Sequence, residues 1–296
     1  MVEARQNQGL LERVFQLRQK KTTVRTELVA GMTTFIALAY IMFVNPNILA
    51  DAGIPKEAAI ASTIWVAALA TLMMGAFANY PVALAPGMGL NAFFTYYVVG
   101  TLHLPWQVAL GAVFFSGVLF FLMTLGGVRQ AIINSVPINL KRAIGVGIGM
   151  FIAFIGFRGT GLIIADKATY ITLGHVGNPT TLLALFGLLL TAGLMARNVH
   201  GALLIGIAVM TGLSMALGLS PVPQGFHDIM SLHLPSMALT FGQLDLAGAW
   251  QYGIFSIIFT FTVVELFDNM GTLIGLTAKA NLVNEHGQIE NLDRAL

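Results

Sequence analysis

Cysteine is absent from this 296-residue chain, which excludes disulfides, thiolate metal sites and a cysteine nucleophile together. Charge is nearly as scarce. Only 9% of the residues are Asp, Glu, Lys or Arg, against about 25% in soluble domains. Local catalytic signatures are also lacking: no G-x-x-x-x-G-K-[ST] loop for a nucleotide and no H-E-x-x-H for zinc. The six histidines (His103, His175, His200, His227, His233 and His286) are scattered through loops and helix ends, too dispersed for a metal cluster. The net charge is +2, and the basic residues form no continuous stripe, so nucleic acid is not an expected partner. No signal peptide is expected, because the first apolar run starts late and has no small-residue cleavage site. These absences point away from an enzyme and imply no cofactor.

What remains is apolar. Hydrophobic residues make up 56% of the chain and the mean hydropathy is +0.80, which places it among all-α polytopic membrane proteins. The apolar runs are long and continuous, unlike the alternating ten-residue strands of a barrel. Eight spans are expected, over residues 28–44, 58–78, 82–101, 106–125, 138–157, 181–196, 199–219 and 249–278. The first should end at Asn45-Pro46-Asn47. Residues 1–27 read as a basic tail or as a short interfacial helix around Leu10, Leu11, Val14, Phe15 and Arg18. Gly145-Val-Gly-Ile-Gly149 reads as a small-residue stripe for helix packing.

Twelve of the 15 Lys and Arg residues fall on one side of this arrangement, in the N-terminal tail (residues 1–27), the loop with Arg129, Lys141 and Arg142, at Arg197, and after the last span. Lys56, Arg158 and Lys167 fall on the other. The excess marks the cytoplasmic side, so the expectation is a multi-pass protein of the cytoplasmic (inner) membrane with a cytoplasmic N-terminus.

Two features inside the apolar runs carry chemistry. Glu265 and Asp268 are the only carboxylates within an expected span, and that span is centred near Val264. A charged group at bilayer depth costs about 2.5–3.5 kcal/mol, so it persists with a partner or a task. Three residues apart on a helix, the two share a face. Such a pair can exchange a proton and can accept hydrogen bonds from ring N–H and amine groups. The second feature is Ala85-Pro-Gly-Met-Gly-Leu-Asn-Ala-Phe-Phe94. Pro86, Gly87 and Gly89 cannot continue a regular helix, and irregular backbone at this depth is tolerated only where it is buried or lines a cavity. The expectation is an extended segment up to Gly89 followed by a half-helix from about Asn91, with its N–H groups open to a ligand. Asn91 would add a donor and an acceptor, and Phe93 or Phe94 a face for a flat ring. A proline-kinked packing helix and a purely structural carboxylate pair are the alternatives.

Together with Gly31-Met-Thr-Thr-Phe-Ile-Ala-Leu-Ala-Tyr-Ile-Met-Phe-Val-Asn-Pro46 and Leu266-Phe-Asp-Asn-Met-Gly-Thr-Leu-Ile-Gly275, that segment resembles the azaguanine-type adenine/guanine/hypoxanthine permeases, a branch of the nucleobase–cation symporter superfamily. The resemblance covers residues 10–296. It implies a fourteen-span fold of two inverted repeats of seven, a core domain and a gate domain, and substrate held between two half-helices. The corresponding divisions are a tail at 1–27, core spans at 28–125, gate spans at 126–248 with a long loop at 220–248, and the start of the second repeat at 249–296. The resemblance implies Asn91 and Glu265 as substrate contacts, beside which the broken segment would set Phe93, Phe94 and Gly89, and Asp268 and Glu265 would form the proton-coupling network. Relative to that family the chain is expected to be C-terminally truncated, and these 296 residues alone are not expected to sustain purine uptake. The implied function is proton-coupled import of a purine base, with base, proton and bilayer as partners and a homodimer left open. An anion or other small-solute carrier on the same fold, and a non-transporting membrane protein or inactive fragment, stand as alternatives. An acidic mid-span site without Lys or Arg speaks against anions.

Overall fold

The computed structural model describes residues 10–18, 20, 22–126, 132, 137–199, 201–225 and 236–279. Arg5, Lys21, Arg129 and Arg294, which contribute to the charge count, lie outside them, as do His200, His227, His233 and His286. The helices are α1 (Leu10–Phe15), α2 (Val24–Leu38), α3 (Ile41–Asp51), α4 (Lys56–Met73), α5 (Met88–Ala92), α6 (Trp106–Leu125) and α7 (Ile138–Gly159). After the strands β1 (Ile163–Asp166) and β2 (Tyr170–Leu173) come α8 (Pro179–Ala196), α9 (Ala202–Ala216), α10 (Leu246–Gly253) and α11 (Phe259–Lys279). Wider π-helical turns extend α4 through Met74–Ala78 and α5 through Phe93–Val99, and join α10 to α11 through Ile254–Ile258. Among the described residues, four helical stretches are long and apolar enough to cross a membrane: Val24–Asp51, Lys56–Ala78, Trp106–Leu125 and Pro179–Ala196.

The chain divides into two units. The first comprises residues 1–31, 41–148 and 235–296, and the second residues 32–40 and 149–234. In the first unit, α5 and its π-turn pack against α3, α6 and α11, and α3 in turn packs against α4. Phe94, Val98, Ala109 and Phe261, none more than 3% exposed, form the centre of its core. Helices α6 and α10 approach closely at Gly111 of α6. A Cβ there would stand 2.5 Å from the Asp245 carbonyl oxygen and 2.8 Å from Ala249 Cβ. Asp245 also caps α10, its Oδ1 accepting the Gly248 N–H at 2.7 Å. Gly111→Ala is therefore expected to cost about 1–3 kcal/mol through overpacking, read as a lower thermal midpoint of the detergent-solubilised protein. The sequence pointed to a different stripe for close packing. Among the described residues, a Cβ on Gly147 or Gly149 would meet nothing within 4 Å.

Three local outcomes differ from the sequence reading. The first helix does not stop at Asn45-Pro46-Asn47. It breaks earlier, at Ala39-Tyr40, and Pro46 sits inside α3. The proline removes one helical hydrogen bond, a cost of about 3 kcal/mol. The burial of Asn45, Pro46 and Ile48 on a helix packed against α4 offsets it. The extended stretch ends at Gly87 rather than Gly89, and the half-helix starts at Met88. Gly87 is an extended N-cap (φ −70°, ψ 117°) whose carbonyl already accepts the Asn91 N–H at 3.1 Å.

The third difference is an antiparallel hairpin in the second unit, β1 paired to β2 with Ile163 opposite Leu173 and Asp166 opposite Tyr170. Hydrogen bonds from the Thr169 and Ala168 N–H groups (2.8 Å each) and the Thr169 hydroxyl hold its turn and keep the Asp166 carboxyl below the usual carboxylate range. In the same unit α8 starts at Asn178, whose Oδ1 accepts the Thr180 N–H, with Pro179 at the first helical position. Helices α8 and α9 then pack where Gly187 meets Met210 and Gly206 meets Thr191.

Candidate functional site

The site is built where α4 ends and the chain re-enters as a half-helix. Asn79 adopts a left-handed conformation (φ 53°) that stops the π-turn after α4, and the Lys20 ammonium donates to its carbonyl at 2.6 Å. Pro81 and Pro86 then keep the chain extended. The backbone of this stretch is satisfied partly by a side chain: the Leu84 N–H donates to Thr71 Oγ1 at 2.9 Å, and Leu84 C=O lies 3.2 Å from the same hydroxyl. This is how an interrupted segment survives within apolar surroundings.

Helix α11 crosses the start of α5. Asp268 Oδ2 lies 2.7 Å from where a Cβ on Gly87 would stand, so the carboxyl rests directly on the N-cap of the half-helix. Backbone N–H groups at that end have no partner one turn back, and a negative group there is favoured by the helix dipole. Glu265, one turn earlier on α11, approaches α6: Ser116 Oγ donates toward its Oε2 at 3.4 Å, and Thr262 Oγ1, 3.2 Å from Ser116 Oγ, is 2.8 Å from the Ile258 carbonyl oxygen. Ser116 and Thr262 are buried, at 1% and 3% exposure, while Glu265 and Asp268 are half-buried. The two carboxyl groups thus face different supports on one side of α11.

Asn91 is half-buried in the first turn of α5, two residues after Gly89. Its Nδ2 donates to Asn45 Oδ1 on α3. Asn45 Nδ2 donates to Thr63 Oγ1 on α4 at 2.8 Å, and Thr63 Oγ1 donates to the Ala59 carbonyl at 2.6 Å. The two neighbouring phenylalanines part company. Phe94 is 3% exposed in the core, whereas Phe93 is half-buried, stacked on Tyr97 (centroids 5.1 Å apart, planes at 18°) and edge-on to Phe261 (5.2 Å, 81°). One turn beyond Asn91, Thr95 Oγ1 is buried and has no hydrogen-bond partner among the described residues.

Residues 25–296 match the permease family (Xan_ur_permease). The chain belongs to it. A relative in Methanocaldococcus jannaschii, whose name specifies a permease without a substrate, is 47% identical over 286 residues, 97% of this chain and 65% of its own length. The adenine permease AdeP of Escherichia coli is 44% identical over 289 residues, 98% of this chain and 64% of the relative. The guanine/hypoxanthine permease PbuO of Bacillus subtilis is 39% identical over 286 residues, 96% of this chain and 66% of the relative. The chain of this family member thus spans just under two-thirds of the length of these curated relatives. Permeases are transporters rather than enzymes, and the apolar helices agree with a multi-pass membrane protein.

Of the residues singled out in the sequence, Gly89 and Asn91 lie on α5, Phe93 and Phe94 at the start of its π-turn with Phe94 in the core, and Glu265 and Asp268 on α11, which packs against α5. Sequence reasoning missed Asn45, Thr63, Ser116 and Thr262, which support Asn91 and Glu265 from behind. Their signal was present: they are uncharged polar residues in apolar runs, and buried polar groups require partners.

Proposed function

We propose that this family member carries a purine nucleobase across the cytoplasmic membrane, coupled to a proton, as part of a fourteen-span inverted-repeat fold with a cytoplasmic N-terminus. The observation that carries the reading is the Asp268 carboxyl on the Gly87 N-cap, with Asn91 on the same half-helix and Glu265 one turn away on α11. That set offers what a flat heterocycle with N–H and amine groups requires: an amide, a carboxylate acceptor, open backbone N–H groups and the Phe93 ring. Asp268 is the group we assign to proton exchange, Glu265 and Asn91 to the base. The names of the relatives, adenine and guanine/hypoxanthine permeases, support a purine as the cargo. All named site residues come from one chain, so a homodimer is not required for the chemistry.

The test is a panel of radiolabelled adenine, hypoxanthine, guanine, uracil and sulfate, offered to a purine-permease-deficient host expressing the product of the complete open reading frame. Saturable uptake of one or more purines is expected, without uptake of sulfate. Sulfate uptake without purine uptake would move the protein to the anion carriers, and uptake of nothing would leave a non-transporting membrane protein.

A further inference from the structure

The chain of side chains behind Asn91 has a direction, and its direction is fixed at one end. Thr63 Oγ1 lies 2.6 Å from the Ala59 carbonyl oxygen, which can only accept, so the hydroxyl hydrogen is committed there. The Thr63 oxygen must therefore receive a hydrogen from Asn45, which turns Asn45 Nδ2 toward α4 at 2.8 Å and leaves Asn45 Oδ1 facing α5. That oxygen in turn demands a donor from Asn91, and Asn91 Nδ2 supplies it. Reversing any one amide would set two acceptors or two donors face to face in a region where Asn45 and Thr63 are each 2% exposed. Buried unmatched polar groups of this kind are costly. No described residue donates to Asn91 Oδ1.

We propose that Asn45 and Thr63 are positioning residues that hold the Asn91 amide with its nitrogen tethered to α3 and its carbonyl oxygen left for the ligand. Position 91 then reads a hydrogen-bond donor on the bound base. The inference rests on the reading of Asn91 as a purine contact and deepens it. Adenine and hypoxanthine differ in donor and acceptor at two adjacent ring positions, N1 and the C6 substituent. An amide locked in one orientation therefore discriminates between them, and one free to flip does not.

The experiment is equilibrium binding of radiolabelled adenine and hypoxanthine to the detergent-solubilised product of the complete open reading frame, read as the ratio of the two dissociation constants. Thr63→Val keeps the shape and removes the hydroxyl, and is expected to bring the ratio about tenfold closer to one, in keeping with a hydrogen bond made or lost in a buried site. Thr63→Ser is expected to retain the original ratio. Asn45→Asp, whose carboxylic acid can accept from Asn91 and donate to the Thr63 oxygen while the Thr63 hydrogen stays on the Ala59 carbonyl, is expected to retain it as well, and Asn45→Leu to lose it. This second pair decides the matter should Thr63→Val fail to accumulate. A merely structural role would weaken both bases alike, so an unchanged ratio in Thr63→Val or in Asn45→Leu, alongside an altered ratio in Asn91→Ala, overturns the relay while leaving the site in place. An unchanged ratio in Asn91→Ala overturns the site reading itself.

Discussion

Replacing Asp268 by asparagine is expected to reduce purine uptake by roughly 10- to 100-fold, the range of a lost charged hydrogen bond in a buried site, and to free the residual uptake from external pH. The substitution keeps the size and planarity of the side chain, so its contact with the Gly87 N-cap survives in shape. What disappears is a group that can carry charge and release a proton. Uptake by the unaltered protein should fall as external pH rises, because a proton symporter loses its driving ion, whereas the asparagine variant should give a flat profile at its low level. Glu265→Gln provides the contrast. The amide oxygen can still accept from Ser116 Oγ, and the loss is expected in affinity for the base, with the pH profile kept. The measurement is initial-rate uptake between about pH 5.5 and 8, normalised to protein in the membrane. If both variants transport like the unaltered protein at every pH, the acidic pair is a structural feature and the carrier reading of this site is lost.

The parts of this site that could be read from sequence are those in which a single residue breaks a rule by itself. A carboxylate in an apolar run conflicts with its surroundings whatever its neighbours are, so Glu265 and Asp268 stand out. Pro86 and Gly87 announce a break in the same way. The partners of these residues did not stand out. Asn45, Thr63, Ser116 and Thr262 are small or uncharged, cost little one at a time, and acquire a role only when α3, α4, α6 and α11 are brought around α5. Pro46 was misread for a related reason. A local propensity that ends helices was outweighed by packing on α4, which no window of sequence displays. The paired rings show the same limit at one-residue resolution. Phe93 and Phe94 are adjacent in one helical turn, yet Phe94 enters the core while Phe93 stacks on Tyr97 and stands edge-on to Phe261, a division that only the packed helices reveal. The hairpin at residues 163–173 was passed over because two four-residue strands give too short a period-two signal to separate from loop.

Gly87→Ala is the most economical test of how the broken helix and the acidic helix work together. The backbone of Gly87 is extended at φ −70° and ψ 117°, a conformation that alanine adopts without strain. The substitution should therefore leave folding intact, and reduced freedom of the unfolded chain should raise stability by about 0.4–1 kcal/mol. The added Cβ, however, would lie 2.7 Å from Asp268 Oδ2 and 4.0 Å from Asp268 Cγ. Ordinary contact begins near 3.4 Å, so the carboxyl has to withdraw from the half-helix or rotate away. A protein of unchanged or higher thermal midpoint whose uptake falls by roughly an order of magnitude, the scale of one weakened charged hydrogen bond, is the expected result. The double variant with Asp268→Asn supplies the internal control. If the glycine matters only because it admits the carboxyl, adding Gly87→Ala to Asp268→Asn should cost little more than the asparagine alone, a strong departure from additivity between touching residues. Full additivity, or a Gly87→Ala variant with normal uptake and normal pH dependence, would mean that the approach of Asp268 to the N-cap has no part in transport.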